Sequence, residues 1–206
     1  MTIDTILEIV GFVIGIVYLY WEYQADVKVW LASVVMPMVS MWVYFENGLY
    51  ADFAINIYYL VIAVYGYISW TCKGKKTAGE AGECTELPIT RVPLRVCLGA
   101  VTTMAGLWLA IWLILKYFTD STVPVADAFT TALSIVGLWM LARKYAEVWL
   151  VWFVVNIVSS ALYLYKGLPF YCALYVIYTV VSLMGYRKWL RMMRLQQSDK
   201  SGAQTR

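Results

Sequence analysis

The chain has 206 residues, of which 62% are hydrophobic and 14% charged, and its formal net charge is +3. Soluble domains carry roughly 25% charged residues, and a soluble fold of this length could not bury so much apolar surface, so we predict a polytopic membrane protein. The absence of histidine excludes Ser/His and Cys/His nucleophile pairs and the usual zinc and haem ligand sets. The four cysteines form no CxxC motif, so no metal or redox motif is predicted. We expect neither a cofactor nor an enzyme, because the sequence also lacks histidine and a deep pair of carboxylates.

Seven apolar stretches approach the roughly 20 residues that a spanning helix needs. They lie at about residues 6–21, 29–45, 51–72, 94–117, 127–142, 148–165 and 168–189. The first is not expected to be a signal peptide, because acidic rather than basic residues accompany it. The connection 73–93 is rich in Gly, Lys, Glu and Pro and is expected to be a flexible surface loop. The end of the polar C-terminal tail is expected to be disordered.

Lysine and arginine are unevenly divided between the predicted sides of the membrane. If the 73–93 loop and the C-terminal tail face the cytoplasm, fourteen of the 16 basic residues lie inside, and only Lys116 and Lys166 lie outside. This positive-inside bias predicts an outside N-terminus and a cytoplasmic C-terminus. The net positive charge follows from that topology, so no nucleic-acid partner is predicted.

Residues 30–70 and 149–189 are two copies of one unit, which agree without a gap at fourteen of forty-one positions. The most distinctive shared residues are Trp30/Trp149, Ser40/Ser159, Tyr44/Tyr163, Gly48/Gly167, Tyr59/Tyr178, Gly66/Gly185, Tyr67/Tyr186 and Trp70/Trp189. Two apolar stretches share Val and Leu by composition alone, but they do not usually share Trp, Ser, Tyr and Gly in register. Duplicated apolar units of this kind are typical of transporters.

The repeat constrains the architecture of the whole chain. If each copy includes a preceding helix, the two three-helix units face opposite ways unless one extra helix separates them. We therefore predict an all-α membrane protein with seven transmembrane helices in a three-plus-one-plus-three parallel repeat. The predicted parts are repeat 1 at 1–72, a cytoplasmic loop at 73–93, an inversion helix at 94–117, repeat 2 at 118–189 and a cytoplasmic tail at 190–206.

One face of the third and of the seventh predicted helix carries polar and aromatic side chains at helical spacing. These are Asp52, Asn56, Tyr59, Ala63 and Gly66 on the third helix, and Tyr171, Tyr175, Tyr178, Ser182 and Gly185 on the seventh. Such groups on a membrane helix belong against protein or water. Two interpretations stay open: helix–helix packing alone, or the lining of a substrate path that also packs.

The sixth predicted helix carries Trp149, Trp152, Asn156 and Tyr163 on one broad face. Asn156 falls near the middle of the helix, where an amide without partners costs free energy. Trp152 lies one turn away and offers a flat face to an aromatic or cationic ring. Tryptophan at a helix end is more often an interface anchor, which suits Trp149. We therefore predict that Asn156 contacts a substrate.

Over nearly its whole length the chain resembles the PnuC family of bacterial vitamin transporters. The resemblance lies in its size, its seven helices, its repeat and the stretches ARKYAEVWLVWFVVNI, YLYKGLPFYCALYVIY and GYRKW. It implies a fold similar to the SWEET sugar carriers, a homotrimer, and a place in the bacterial inner membrane. It also implies facilitated diffusion of nicotinamide riboside, thiamine or riboflavin, followed by trapping when a cytosolic kinase phosphorylates the vitamin.

The nicotinamide-riboside branch of that family is identified by a WxxxWWxxxN or D motif on the sixth helix. With Asn156 at its last position, Trp152 fits the second of the paired tryptophans, whereas Val151 and Glu147 stand at the other two Trp positions. The family as a whole favours nicotinamide riboside, and this departure favours thiamine, which is also an aromatic cation. Glu147 is expected either to supply a counter-charge to the cation or to pair with a nearby basic residue.

We expect alternating access around one vitamin molecule that stacks on Trp152 and hydrogen-bonds Asn156. The remaining candidate contacts are Trp149, Tyr163 and Glu147, with Asn56, Tyr59, Tyr175 and Tyr178 closing the site from the third and seventh helices. An alternative of another class is the substrate-binding subunit of an ATP-driven vitamin importer, although such subunits usually have six helices and no parallel repeat. A membrane enzyme is disfavoured because no catalytic constellation is visible.

Overall fold

The protein is described by a computed structural model at residues 15–46, 50–72, 87–119, 123–165 and 169–204. A first helical segment, α1, occupies 15–24. It is followed by α2 (Lys28–Glu46), α3 (Tyr50–Cys72), α4 (Leu94–Phe118), α5 (Pro124–Ala142), α6 (Val148–Tyr165) and α7 (Pro169–Gln204). Within the described ranges the only extended pairing is a single parallel bridge between Thr90 and Tyr145. The all-helical fold class predicted from the sequence is therefore confirmed.

The helices follow the apolar runs of the sequence. Among the described residues, α4, α5 and α6 are long and apolar enough to cross a membrane, and Ile55–Thr71 within α3 forms a shorter apolar helix. Helix α5 begins at Pro124, three residues before the predicted start, because proline suits the first helical position, where no N–H is required. The N-terminal half of the first predicted helix lies outside the described residues.

The chain divides into two compact units, Met1–Leu87 and Pro88–Arg206. In the first unit α2 packs on α3. The ring of Trp30 lies over Gly66 and meets Trp70 edge to face, with ring centroids 5.6 Å apart and an interplanar angle of 88°. A β-carbon at position 66 would fall within the van der Waals radius of the Trp30 ring, so only glycine allows this close approach. Both tryptophans are fully buried.

In the second unit α4 packs on α5, α5 on α6, and α6 on α7. The Trp149 ring lies over Gly185 and meets Trp189 edge to face, with centroids 5.9 Å apart and an interplanar angle of 81°. The same three residue types at the same spacing therefore make the same packing inside each unit. By contrast α4 has no buried residue, and its one described polar anchor is the Trp108 indole N–H, which donates to the Val125 carbonyl at 3.0 Å.

Each unit also contains a left-handed turn before its tryptophan helix. Ala25 and Lys144 both have a φ of 57°, which is uncommon for residues other than glycine. The Ala25 N–H donates to the Glu22 carbonyl at 3.0 Å, and the Lys144 N–H donates to the Leu141 carbonyl at 2.8 Å. The two turns stand at equivalent sequence positions, five residues before Trp30 and Trp149. The local backbone is therefore duplicated along with the side chains.

Two segments are more ordered than the sequence predicts. Of the 73–93 loop, residues 73–86 lie outside the described residues, but 87–93 is held by hydrogen bonds. Thr90 donates its N–H to the Lys144 carbonyl at 3.2 Å, and its own carbonyl accepts the Ala146 N–H at 3.0 Å. The predicted disorder at the end of the tail is wrong as far as Gln204, because α7 continues to that residue.

The extension of α7 has a physical cause. Residues 190–201 contain no glycine or proline and are rich in Arg, Met, Leu and Gln, which are good helix formers. Met193 is buried, and the Gln196 side-chain carbonyl accepts the Ile89 N–H at 3.1 Å. One side of the extension thus has partners in the same unit, which the polar composition of the tail does not reveal.

Candidate substrate-binding site

A line of paired polar and aromatic residues runs along the interface between α6 and α7. Trp149 meets Trp189, Asn156 meets Ser182, and Tyr163 meets Tyr175. The pairs are separated by seven residues on each helix, which is about 10 Å along an α-helix. Because the helices run antiparallel, one continuous stripe faces its partner from Trp149 to Tyr163. The sequence places these residues on common helix faces, and the structure pairs them.

Asn156 lies at the centre of this stripe. Its side chain is half-buried, and its amide nitrogen Nδ2 donates to Ser182 Oγ at 3.1 Å. Ser182 is buried, and its hydroxyl donates to the Tyr178 carbonyl at 2.7 Å. A polar group within an apolar span is costly unless it is hydrogen-bonded, and Ser182 offsets that cost for one arm of the amide. The sequence placed Ser182 on the polar stripe, but Ser182 was not predicted as a site residue.

Three tyrosines cluster toward the end of α6 that precedes α7. The Tyr163 and Tyr175 ring centroids are 5.1 Å apart at 34°, and those of Tyr175 and Tyr178 are 5.8 Å apart at 65°. Ser160 and Cys172 lie in the same part of the interface, where the Ser160 hydroxyl is 3.3 Å from both the Cys172 carbonyl and its Sγ. Aromatic faces attract cations, so this cluster is chemically suited to a cationic aromatic solute.

Trp152 lies against α5. A β-carbon at Gly137 would lie 3.2 Å from Cη2 and 3.3 Å from Cζ3 of the Trp152 ring, and 3.1 Å from the Val151 side chain. Gly137 is therefore the residue that gives the ring its room, and it was not predicted as part of the site. The sequence does not indicate this role, because glycine contributes only the space that a side chain would otherwise fill. The Trp152 side chain remains half-buried.

Trp149 and Glu147 have well-defined packing at the start of α6. Trp149 is only 1% exposed, since Gly185 and Trp189 enclose it. The Glu147 carboxylate accepts the Val92 N–H at 3.0 Å and thereby holds the segment that precedes α4. These contacts favour scaffold roles, and a substrate contact by either residue stays a prediction.

Asn56 and Tyr59 belong to the first unit. Asn56 is 8% exposed within α3, and the Tyr59 ring is 5.9 Å from Tyr58 at 60°. For both residues a contact with substrate stays a prediction from the sequence. In the described ranges no group of three or more His, Cys, Asp or Glu residues is arranged to hold a metal. The chemistry of the α6–α7 stripe is consequently that of an amide, hydroxyls and aromatic faces.

Comparison with known proteins gives several relatives that match most of this chain. The nicotinamide riboside transporter PnuC of Escherichia coli is 21% identical, over 91% of this chain and 86% of its own. PnuC of Neisseria mucosa is 23% identical, over 93% and 74%. The riboflavin/roseoflavin transporter RibM of Streptomyces davaonensis is 24% identical, over 95% and 90%. All three are named as transporters of vitamins or vitamin analogues.

The fold has a counterpart among solved structures. The crystal structure of the vitamin B3 transporter PnuC superposes with a TM-score of 0.63 at 23% identity, over 88% of this chain and 79% of that one. The profile of the nicotinamide mononucleotide transporter family matches residues 5–191, which is most of the 206-residue sequence. The chain therefore belongs to that family of membrane transporters, the PnuC family.

Proposed function

We propose that this protein carries an unphosphorylated B-vitamin with a cationic aromatic ring, nicotinamide riboside in the first place, across the bacterial inner membrane. The observation that carries the proposal is the Asn156 amide, which is held by Ser182 within the apolar span α6. A half-buried amide between tyrosines on one side and Trp152 on the other suits a flat polar ring. The family and the names of the E. coli and Neisseria relatives support the vitamin class.

Thiamine is the second candidate. Residues Val151 and Glu147 stand where the nicotinamide-riboside motif of this family has tryptophan. Fewer aromatic side chains on α6 make nicotinamide riboside a weaker candidate, but they do not argue against a cationic substrate. Riboflavin enters as a third probe because a relative of similar identity is named as a riboflavin transporter.

In the proposed architecture, seven helices span the membrane as three plus one plus three, as in the SWEET carriers. Support comes from the Trp–Gly–Trp packing and the left-handed turn, which recur in each unit at equivalent positions. The distribution of basic residues supports an outside N-terminus and a cytoplasmic C-terminus. Assembly as a homotrimer and trapping by a cytosolic vitamin kinase complete the proposal.

The proposed mechanism is alternating access without an energy source. The vitamin binds at Asn156 and Trp152, and movement of the helices opens that site to one side of the membrane at a time. The tyrosine cluster of α6 and α7 lines the path on the outer side. A substrate-binding subunit of an ATP-driven importer is the rival, and it predicts that the purified chain alone moves no vitamin.

Thermal stabilisation tests the substrate class. Detergent-purified protein is heated with nicotinamide riboside, nicotinamide mononucleotide, thiamine and riboflavin in parallel. A ligand that binds the native state adds roughly 2.7 kcal/mol to the free energy of unfolding when its concentration is about 100 times its dissociation constant. The substrate should therefore raise the melting temperature in a dose-dependent manner. We expect nicotinamide riboside to give the largest shift. The proposal fails if neither nicotinamide riboside nor thiamine stabilises the protein.

A further inference from the structure

The hydrogen bonds around Ser182 determine which way the Asn156 amide faces. A serine hydroxyl has one proton and two acceptor lone pairs. The Ser182 proton is donated to the Tyr178 carbonyl at 2.7 Å. Toward Asn156, Ser182 Oγ can therefore only accept, so the amide must turn its Nδ2 to Ser182, at 3.1 Å. The orientation of the amide, which is ambiguous for an isolated asparagine, follows from this chain of two bonds.

The other arm of the amide is then its carbonyl oxygen. Within the described residues no hydrogen bond reaches Asn156 Oδ1. The side chain is only half-buried, so this oxygen is available to a molecule in the path. A carbonyl oxygen accepts hydrogen bonds and cannot donate them. A site built around this oxygen therefore binds a substrate that has a hydrogen-bond donor more tightly. A substrate that offers only acceptors leaves the oxygen unpaired.

The pair belongs to the second unit alone. At the equivalent sequence positions the first unit has Ala63, which is fully buried, in place of Ser182, and Pro37 in place of Asn156. Neither residue has a polar side chain. In contrast, Gly66 and Gly185 perform the same packing in both units. The serine is thus not part of the packing that the two units share, and its distinctive contact is the one with Asn156.

We propose that Ser182 is a positioning residue for substrate selection. It holds Asn156 with the carbonyl oxygen toward the path, and the site in consequence selects vitamins whose aromatic ring carries an exocyclic N–H donor. The carboxamide of nicotinamide riboside and the amino group of thiamine both have this donor. The inference rests on the proposed function, since it concerns how the same site recognises its ligand.

Paired ligands that differ at the exocyclic donor test this directly. The first pair is nicotinamide riboside and its methyl ester analogue, in which a methoxy oxygen replaces the carboxamide nitrogen. The second is thiamine and oxythiamine, in which an oxo group replaces the exocyclic amino group and the adjacent ring nitrogen carries a proton. Dissociation constants are measured by tryptophan fluorescence for the wild type, Ser182→Ala and Ser182→Thr. One lost hydrogen bond with an orphaned acceptor predicts a wild-type preference of about 10- to 100-fold for the donor-bearing member.

The variants separate positioning from simple structural support. Ser182→Ala removes the acceptor for Nδ2, so the amide is free to rotate, and the preference should fall toward onefold. Ser182→Thr keeps a hydroxyl that can bond to the carbonyl four residues earlier, and the preference should persist. A merely structural serine would instead weaken both members of a pair equally. Melting temperatures identify any variant that has lost its fold.

The outcomes distinguish this inference from the proposed function. If the wild type binds one of the vitamins but shows no preference within its pair, or if Ser182→Ala keeps the full preference, the inference is overturned and the transport proposal stands. If the wild type binds none of the four probes, both are overturned. A preference that is lost in Ser182→Ala and retained in Ser182→Thr supports the inference.

Discussion

Asn156 and Pro37 occupy equivalent sequence positions with opposite chemistry. Proline within α2 has no backbone N–H and no polar side chain, and it is buried. Asn156 adds an amide to the most apolar part of α6 and places it against Ser182. We therefore propose that only the second unit supplies this polar substrate contact.

Substitutions of Glu147 distinguish an anchoring role from a counter-charge role. If its carboxylate anchors the segment before α4 through the Val92 N–H, Glu147→Gln keeps a carbonyl acceptor and should retain uptake. Glu147→Ala should lower the unfolding free energy by about 1–2 kcal/mol, since a hydrogen bond to a charged group is lost. Uptake in liposomes and the apparent melting temperature are the measurements. Loss of cation uptake in Glu147→Gln, with unchanged stability, would instead establish the counter-charge role.

The individual site residues were predictable to different degrees. The depth and polarity of Asn156 are visible in the sequence, because a lone amide in an apolar run has few alternatives. Its bond to Ser182 is not visible, since a stripe shows only that residues share a face. The contact of Trp152 with Gly137 on α5 is not visible in the sequence either, because helix periodicity does not show which neighbouring helix a side chain contacts.

At the scale of elements, two glycines determine how closely the helices of each unit approach. Gly185→Ala would force a β-carbon into the Trp149 ring, and Gly66→Ala would do the same at Trp30. Overpacking of this kind costs about 1–3 kcal/mol, so both variants should melt at a clearly lower temperature. Gly106→Ala on α4 is the matched control, because nothing lies within 4 Å of its β-carbon. Equal melting of all three variants would contradict the close packing.

The α7 extension is tested through its contact with the segment before α4. Gln196→Ala removes the acceptor for the Ile89 N–H, so amide exchange at 87–93 should accelerate by about tenfold, as expected for a loss of about 1.4 kcal/mol of local stability. Hydrogen–deuterium exchange with mass spectrometry measures this, and Gln197→Ala, an exposed neighbour, is the control. Unchanged protection in Gln196→Ala would contradict the anchoring.

The boundaries of α2 to α6 could be predicted to within about three residues, because apolar runs of spanning length admit no other structure. The α7 extension could not, since its partner is a backbone N–H far away in sequence. The order of segment 87–93 could not be predicted either, because it depends on hydrogen bonds to the backbone of residues 144 and 146 and to the side chains of Glu147 and Gln196. Composition shows that such a segment is polar but not whether it has partners.

For the whole molecule, the composition, the spans and the family agree on a membrane transporter. Substrate movement down its own gradient requires only a site that binds from either side and a scaffold that moves. We propose that the apolar spans supply this scaffold and that Asn156 of the second unit supplies the binding site. The central claim is that this chain alone moves a vitamin through a path that includes Asn156.

Uptake by the purified protein in liposomes tests that claim most directly. Radiolabelled nicotinamide riboside and thiamine are offered without ATP or an ion gradient to the wild type, to Asn156→Ala and to Thr102→Ala. Thr102 is the control because its hydroxyl bonds only to carbonyls of its own helix. We expect the wild type and Thr102→Ala to equilibrate one vitamin, and Asn156→Ala to be slower by about tenfold or more at an unchanged melting temperature. Wild-type uptake of neither vitamin, or normal uptake by Asn156→Ala, would contradict the account.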